Sequence, residues 1–257
     1  MDGPGRIVFD SLKLNLLALP ICFLAVWGLS RAPLFRVMLF AFCQIPFHEM
    51  GHAVAAWLCG RWAFPVGAII PFVAYTYGGH ERSWSFFLVF QGALLWLSMM
   101  FARLGLGSLR WLPLAVGGVA IGMTWMMPVE KGKMLFLYGG IGGEFVLSTL
   151  LICLFYYRLP YCLRWDFFRF PALIFGVSCF SSAFEMWREI QAGTRPLPRG
   201  TMLVGRTDSN GDIDRLLSEF QWTEPELIAN LNRLGVLCGI IILAHYGVAV
   251  LRSQRRS

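Results

Sequence analysis

Two histidines and a glutamate, within five consecutive residues, are the side chains of this sequence best suited to chemistry. His48 and His52 are four residues apart, and Glu49 directly follows the first, all inside an apolar stretch from Leu34 to Leu58. Positions i and i+4 lie on the same face of an α-helix, so both imidazoles can bind one cation. Neutral imidazole suits Zn²⁺, and Glu49 would lie close enough to accept a proton from water that the metal acidifies.

The alternative interpretation is a chance spacing of two core histidines in a chain that has only four histidines. However, three ionisable groups in an apolar span are costly unless they pair with one another or bind a ligand. We therefore interpret the three residues as part of a zinc site. Hydrolysis at such a site needs a third protein ligand and an open position for water.

Composition predicts an all-α, polytopic membrane protein. The 257 residues are 57% hydrophobic and only 14% charged, with a mean hydropathy of +0.60, whereas a soluble domain carries about 25% charged residues. The net charge of +7 is scattered between apolar runs, which indicates loops near lipid head groups and argues against nucleic-acid binding. The seven cysteines are odd in number and lack C-x-x-C spacing, so we interpret them as small apolar residues within helices.

The apolar runs predict about six to eight transmembrane helices in an integral, multi-pass membrane protein. They cover residues 14–29, 34–58, 62–77, 86–101, 111–127, 134–157, 167–187 and 234–251. Pro46 predicts a kink just before His48, because proline removes a helical hydrogen bond. The segment 62–80 is short and interrupted by proline and glycine, which predicts a re-entrant hairpin. Lysine and arginine divide evenly between the two sides of an eight-span arrangement, so the orientation is not predicted.

Three regions follow from this pattern. Residues 1–187 are the predicted transmembrane core with the zinc-binding helix, residues 188–233 are a polar segment, and residues 234–257 are the last span and a basic tail. The sequence Thr223-Glu224-Pro225-Glu226 is a capping box with proline in the first turn. It predicts a helix that begins at Thr223 and continues into the last span.

Residues 48–53 (HEMGHA), set in an apolar helix, resemble the site-2 protease family of intramembrane zinc metalloproteases. In that family the third zinc ligand is a distant aspartate that begins a helix, with leucines four and five residues later. Residues 212–217 (DIDRLL) match this spacing, and Asn210 and Gly211 form a similar lead-in. The proline-rich lead-in and the Asp-Gly pair of the family are absent. The glycine-rich segment 139–143 resembles the element that lies between the two motifs in the family.

The resemblance implies a catalytic Zn²⁺ on His48, His52 and Asp212, with Glu49 as the general base. It implies cleavage of membrane-anchored protein substrates within the lipid bilayer. The substrate would unwind and add a strand to the 62–80 hairpin, with Gly78, Gly79 and Asn210 as the residues predicted to bind it. The sequence leaves the oligomeric state open.

Other third ligands remain open at this point. Asp212 is equally suited to cap the helix that follows it, and Asp208 precedes a turn sequence. The remaining candidates are His80, Glu144, Glu185 and His245. Glu144, in a glycine-rich apolar helix, is either a hydrogen-bonded structural acid or a third zinc ligand. With Glu144 or Glu185 as that ligand, the chain would be a membrane zinc peptidase of another type, such as the prenyl-protein peptidases.

Two other functions compete with proteolysis. A di-iron membrane hydroxylase also uses a His-x-x-x-His pair, but it needs more histidines than the four in this chain. A catalytically inactive membrane scaffold would not need Glu49, because a purely structural zinc site requires no base.

Overall fold

The computed structural model describes residues 11–69, 75–79, 81–106, 109–157, 159, 165–200 and 211–255. Within these ranges the chain is predominantly helical. The helices are α1 Leu12–Leu29, α2 Pro33–Leu39, α3 Ile45–Leu58, α4 Val66–Ile69, α5 Trp84–Arg103, α6 Trp111–Met126, α7 Val129–Leu154, α8 Trp165–Gln191, α9 Asp212–Glu219 and α10 Glu224–Gln254. A π-helical turn covers Phe40–Gln44, and two short strands are β1 Ala63–Pro65 and β2 Thr76–Gly78.

Five of the described helices are long and apolar enough to cross a membrane: α1, α5, α7, α8 and α10. Helix α6 is also apolar, but it has only 16 residues. By length and composition, this set is compatible with the predicted multi-pass membrane protein.

Side-chain caps begin three of these long helices. Ser83 Oγ accepts a hydrogen bond from the Phe86 backbone N–H at the start of α5, and Ser11 Oγ does the same for Leu14 at α1. Thr223 and Glu226 form the reciprocal capping box at the start of α10. The predicted helix from Thr223 into the last apolar run is therefore confirmed, since α10 continues without interruption to Gln254.

The apolar run from 34 to 58 is helical but not a regular α-helix. The Ile45 N–H bonds to the carbonyl of Phe40, five residues back, in the π-helical turn. A kink was predicted at Pro46, and the structure has a π-helical turn just before it. Pro46 has no N–H to donate to a carbonyl of the preceding turn, and a π-turn changes how those carbonyls are paired. This turn also buries Gln44, which is 2% exposed.

The segment predicted as a re-entrant hairpin contains two antiparallel strands. Pro65 pairs with Thr76, Phe64 with Tyr77, and Ala63 with Gly78. Phe64 and Tyr77 are both more than half exposed, whereas Ala63 is buried, which is the alternation expected of a two-faced strand pair. The described part of this segment therefore contains two short strands and the four-residue helix α4, so the described chain is not purely α-helical.

The chain divides into two compact units. One consists of residues 1–47, 142–197 and 223–257, and the other of residues 48–141 and 198–222. The predicted division into residues 1–187, 188–233 and 234–257 stays a prediction.

The core of the first unit is apolar and aromatic. Val177 and Ala183 on α8 are fully buried, and Phe145 meets Phe180 edge to face with ring centroids 6.1 Å apart. Gly235 on α10 allows close packing, since a Cβ there would lie 3.0 Å from the ring of Phe145.

The second unit contains the HEMGH motif and packs α3 closely against α7. A Cβ on Gly139 would lie 2.7 Å from Ala55 Cβ and 3.0 Å from the Gly51 carbonyl oxygen. Small residues let two helix backbones approach closely in this way. The hairpin also contacts α3, because Trp57 Nε1 donates to the Ala63 carbonyl at 2.9 Å.

Candidate metal centre

One group of metal-binding side chains occurs among the described residues: His48, His52 and Asp212, whose ligand atoms all lie within 4.8 Å of one another. Asp212 Oδ2 is 3.0 Å from His48 Nε2 and 3.1 Å from His52 Nε2. Both histidines are buried, at 6% and 5% exposed. Two imidazole nitrogens directed at one carboxylate oxygen form a donor set that can share a cation.

Helix α3 and the α7 backbone orient the two imidazoles. The four-residue spacing places both rings on one face of α3, with centroids 4.7 Å apart. His52 Nδ1 lies 2.7 Å from the carbonyl oxygen of Phe136, which can only accept a hydrogen bond, so Nδ1 is the protonated nitrogen. In the neutral form of His52 the lone pair is therefore on Nε2, where a ligand can bind, as is usual for metal-binding histidines.

Gly140 is needed for α7 to lie beside the imidazoles. A Cβ at this position would be 2.5 Å from both Cε1 and Nε2 of His52 and 2.7 Å from His48 Nε2. No real Cβ approaches other atoms so closely without displacing them. Within the glycine-rich segment 139–143, steric exclusion by the two imidazoles thus explains why residue 140 is glycine.

Asp212 is the first residue of α9 rather than its cap. The N-cap is Gly211, and no side-chain capping bond forms, so the capping interpretation of Asp212 is wrong. Buried Ile213 and Leu216, at 5% and 0% exposed, hold this short helix in place.

The electrostatics of Asp212 follow from its neighbours. Burial alone would raise the pKa of the Asp212 carboxyl, but the charges and hydrogen bonds of His52 and His48 outweigh it and hold this pKa below its usual value. The carboxylate is thus the favoured form, which is also the form that binds a metal.

Glu49 directly follows His48 on α3 and is buried, at 4% exposed. The Thr76 hydroxyl lies 2.6 Å from Glu49 Oε2 and 3.0 Å from the Glu49 carbonyl oxygen. The carboxylate thus has a neutral donor from strand β2. Thr76 was not identified from the sequence, where the only signal was its place in the predicted hairpin.

Glu144 belongs to the other compact unit and is fully buried there. Its Oε2 accepts a 2.7 Å hydrogen bond from Gln44 Nε2, and Gln44 Oε1 in turn accepts one from the Ser182 hydroxyl at 2.9 Å. This arrangement matches the hydrogen-bonded structural acid among the two interpretations given for Glu144.

The two other alternative ligands within the described ranges also lie in that unit. Glu185 is half-buried on α8, and His245 on α10 stacks on Tyr157 with ring centroids 5.3 Å apart. Neither belongs to the metal-binding group.

The residues predicted to bind substrate are only partly described. Gly78 ends β2, and a Cβ there would lie 2.9 Å from the Trp62 carbonyl oxygen. Gly79 accepts a 3.1 Å hydrogen bond from Arg61 Nε, so both glycines have packing roles in the hairpin. Their binding of substrate stays a prediction, and His80, Asp208 and Asn210 lie outside the described residues.

The centre therefore combines three potential metal ligands with one additional buried carboxylate. Such a set can bind a divalent cation and still provide a group that accepts a proton. Comparison of the chain with family models, curated proteins and solved structures finds no match.

Proposed function

We propose that the chain is a membrane-embedded, zinc-dependent endopeptidase that cleaves membrane-anchored protein substrates. The observation that carries the proposal is the convergence of His48 and His52 with Asp212, 164 residues after His48, next to a further buried carboxylate at Glu49. His48, Glu49 and His52 are buried and Asp212 is half-buried. Such a cluster of ionisable groups in an apolar chain is costly unless it serves a ligand or a reaction.

The donor set fits zinc. Two neutral imidazoles and one carboxylate are the three protein ligands typical of a catalytic site, which keeps a further position open. The carbonyl of Phe136 orients His52, as a supporting partner does in zinc sites. When bound, Zn²⁺ supplies Lewis-acid chemistry, acidifying water and polarising a peptide carbonyl.

The chain's own residues carry out proton transfer and substrate binding. Glu49 accepts a proton from the attacking water and then donates it to the leaving amine, so the carboxylate is regenerated in each cycle. A helical substrate must unwind first, because its carbonyls are otherwise occupied by helical hydrogen bonds. The hairpin of β1 and β2 offers backbone groups with which an unwound segment could pair.

Metal content and cleavage of purified variants test the proposal. We expect the wild-type protein to bind one zinc per chain and to cleave members of a quenched-fluorescent library of single-span peptides. The variants His48→Ala and Asp212→Ala should lose both the zinc and the cleavage.

Asp214→Ala is the matched control, because it removes a carboxylate from the same short helix α9. Asp214 accepts a hydrogen bond from the Gly200 N–H and lies outside the metal-binding group. Zinc retained by Asp212→Ala, or lost equally from Asp214→Ala, would contradict the assignment of the third ligand.

A further inference from the structure

The hydroxyl of Thr76 joins strand β2 to the acid of the HEMGH motif. Thr76 pairs with Pro65 in the hairpin, and its side chain lies on the strand face opposite to the exposed Tyr77. The single hydroxyl hydrogen faces two acceptors of Glu49, the carboxylate Oε2 at 2.6 Å and the main-chain oxygen at 3.0 Å. A residue from outside the helix thus contacts both the backbone and the carboxylate of Glu49.

We infer that Thr76 is the positioning residue for the general base: its hydroxyl fixes the Glu49 carboxylate through Oε2 and leaves the other oxygen to exchange the proton with water. This inference rests on the proposed peptidase function, and it adds a residue that the motif does not contain. Thr76 itself touches neither metal nor substrate in this scheme and acts only through Glu49.

The physical reason is preorganisation. A glutamate side chain has three rotatable bonds, and holding it in one rotamer before the substrate arrives removes an entropy cost from the reaction step. The hydroxyl also gives this buried carboxylate a hydrogen bond that compensates part of its lost hydration. A hydroxyl does so without adding charge, so the carboxylate stays a usable base.

Three substitutions separate this role from simple packing. Thr76→Val keeps the shape and removes the hydroxyl, whereas Thr76→Ser keeps the hydroxyl and removes a methyl group. Thr124→Val is the control, because its hydroxyl lies in the same unit but donates to the Leu58 carbonyl. Each variant is compared with wild type in zinc content, kcat and KM. The substrate is the single-span peptide of the library that the wild-type protein cleaves fastest.

We expect Thr76→Val to keep its zinc and its KM while kcat falls by about 10- to 100-fold, the size typical of a misplaced catalytic group. Thr76→Ser should restore kcat to within about threefold of wild type, since a hydroxyl suffices for one hydrogen bond. Thr124→Val should leave kcat unchanged. A wild-type kcat in Thr76→Val, or an equal loss in Thr76→Ser, would overturn the inference.

A stability measurement tests the contact independently of cleavage. In the chelator-treated protein, Thr76→Val should lower Tm by about 2–4 °C. In a Glu49→Ala background it should lower Tm little further, because the partner is already gone. Additive Tm shifts would refute the contact. If the shifts are non-additive but even the wild-type protein cleaves nothing, the peptidase proposal fails while the positioning of Glu49 by Thr76 stands.

Discussion

The chain contains two buried glutamates with similar local contacts and different surroundings. Glu49 and Glu144 are 4% and 0% exposed, and each accepts a short hydrogen bond from a neutral donor, Thr76 or Gln44. Around Glu49, within the same unit, two imidazoles converge on Asp212. Around Glu144, the donor is itself held by the hydroxyl of Ser182.

The two glutamates are both buried but have different neighbours, so burial alone does not indicate which acid is reactive. Both carboxylates stand in apolar helices, and both would be costly without partners. What separates them is the surroundings: Glu49 directly follows His48, one of three potential metal ligands, whereas the amide that donates to Glu144 accepts a hydrogen bond from a serine hydroxyl. The sharpest experiments therefore treat the two acids in parallel.

The largest difference between the two acids should appear in kcat when each glutamate is replaced by glutamine, which has nearly the same shape. We expect Glu49→Gln to keep its zinc and to lower kcat by about 10²- to 10⁴-fold, the usual contribution of a general base. Glu144→Gln should keep both zinc and cleavage, because an amide oxygen can still accept from Gln44. Unaltered biological function of Glu49→Gln would favour the inactive scaffold, and loss of zinc from Glu144→Gln would favour Glu144 as a ligand.

Next in size is the effect of a methyl group at Gly140. A Cβ there would overlap the imidazoles of His48 and His52, so we expect Gly140→Ala to weaken zinc binding by about 10- to 100-fold, as for other changes that reorient ligands. Gly118→Ala on α6 is the matched control, since its Cβ would meet no atom within 4 Å. Zinc affinity measured by competition with a chelator distinguishes them, and equal affinities would show that α7 does not orient the imidazoles.

Gln44→Leu should lower the stability of the protein without changing its zinc content. It removes the donor from a fully buried carboxylate, and we expect it to lower the free energy of unfolding by about 1–3 kcal/mol. Zinc per chain should stay at the wild-type value. A variant with unchanged thermal stability, or with reduced zinc, would contradict the structural role assigned to Glu144.

The smallest effect concerns pH in the metal-free protein. Because the folded pKa of Asp212 is lowered, its ionised form stabilises the fold above the unfolded pKa of about 4 and loses that contribution as the pH falls below it. The Tm difference between wild type and Asp212→Asn should therefore shrink between pH 6 and pH 3. A difference that stays constant would mean that the histidines do not stabilise the carboxylate.

The sequence was most informative where short-range rules decide the outcome. The four-residue spacing of His48 and His52 places them on one helix face, and the capping box at Thr223 begins its helix as predicted. Helix spacing and caps depend only on helix geometry and on nearby residues. Asp212 was instead a candidate through the resemblance of residues 212–217 to a family motif, and Leu216 in that stretch is fully buried in α9.

What the sequence did not reveal depends on contacts between distant segments. Neither the hydroxyl of Thr76 nor the carbonyl of Phe136 has a local signature, because each acts only once another element lies against it. Helix α7 begins at Val129, five residues before the apolar run that predicted it. Hydropathy identifies only the apolar part of a helix. The first turn of α7 is polar, with Glu130 and Lys133 paired, and therefore precedes the apolar run.

The close fit at Gly139 and Gly140 also determines which routes lead to the imidazoles. Main-chain atoms of α7 lie directly against one flank of the His48 and His52 rings, and there is no room for even a methyl group between them. That flank is sealed, so a solute must arrive from another direction. For the proposed zinc site, an inhibitor shaped to approach past α7 would therefore fail, whatever metal-binding group it carried.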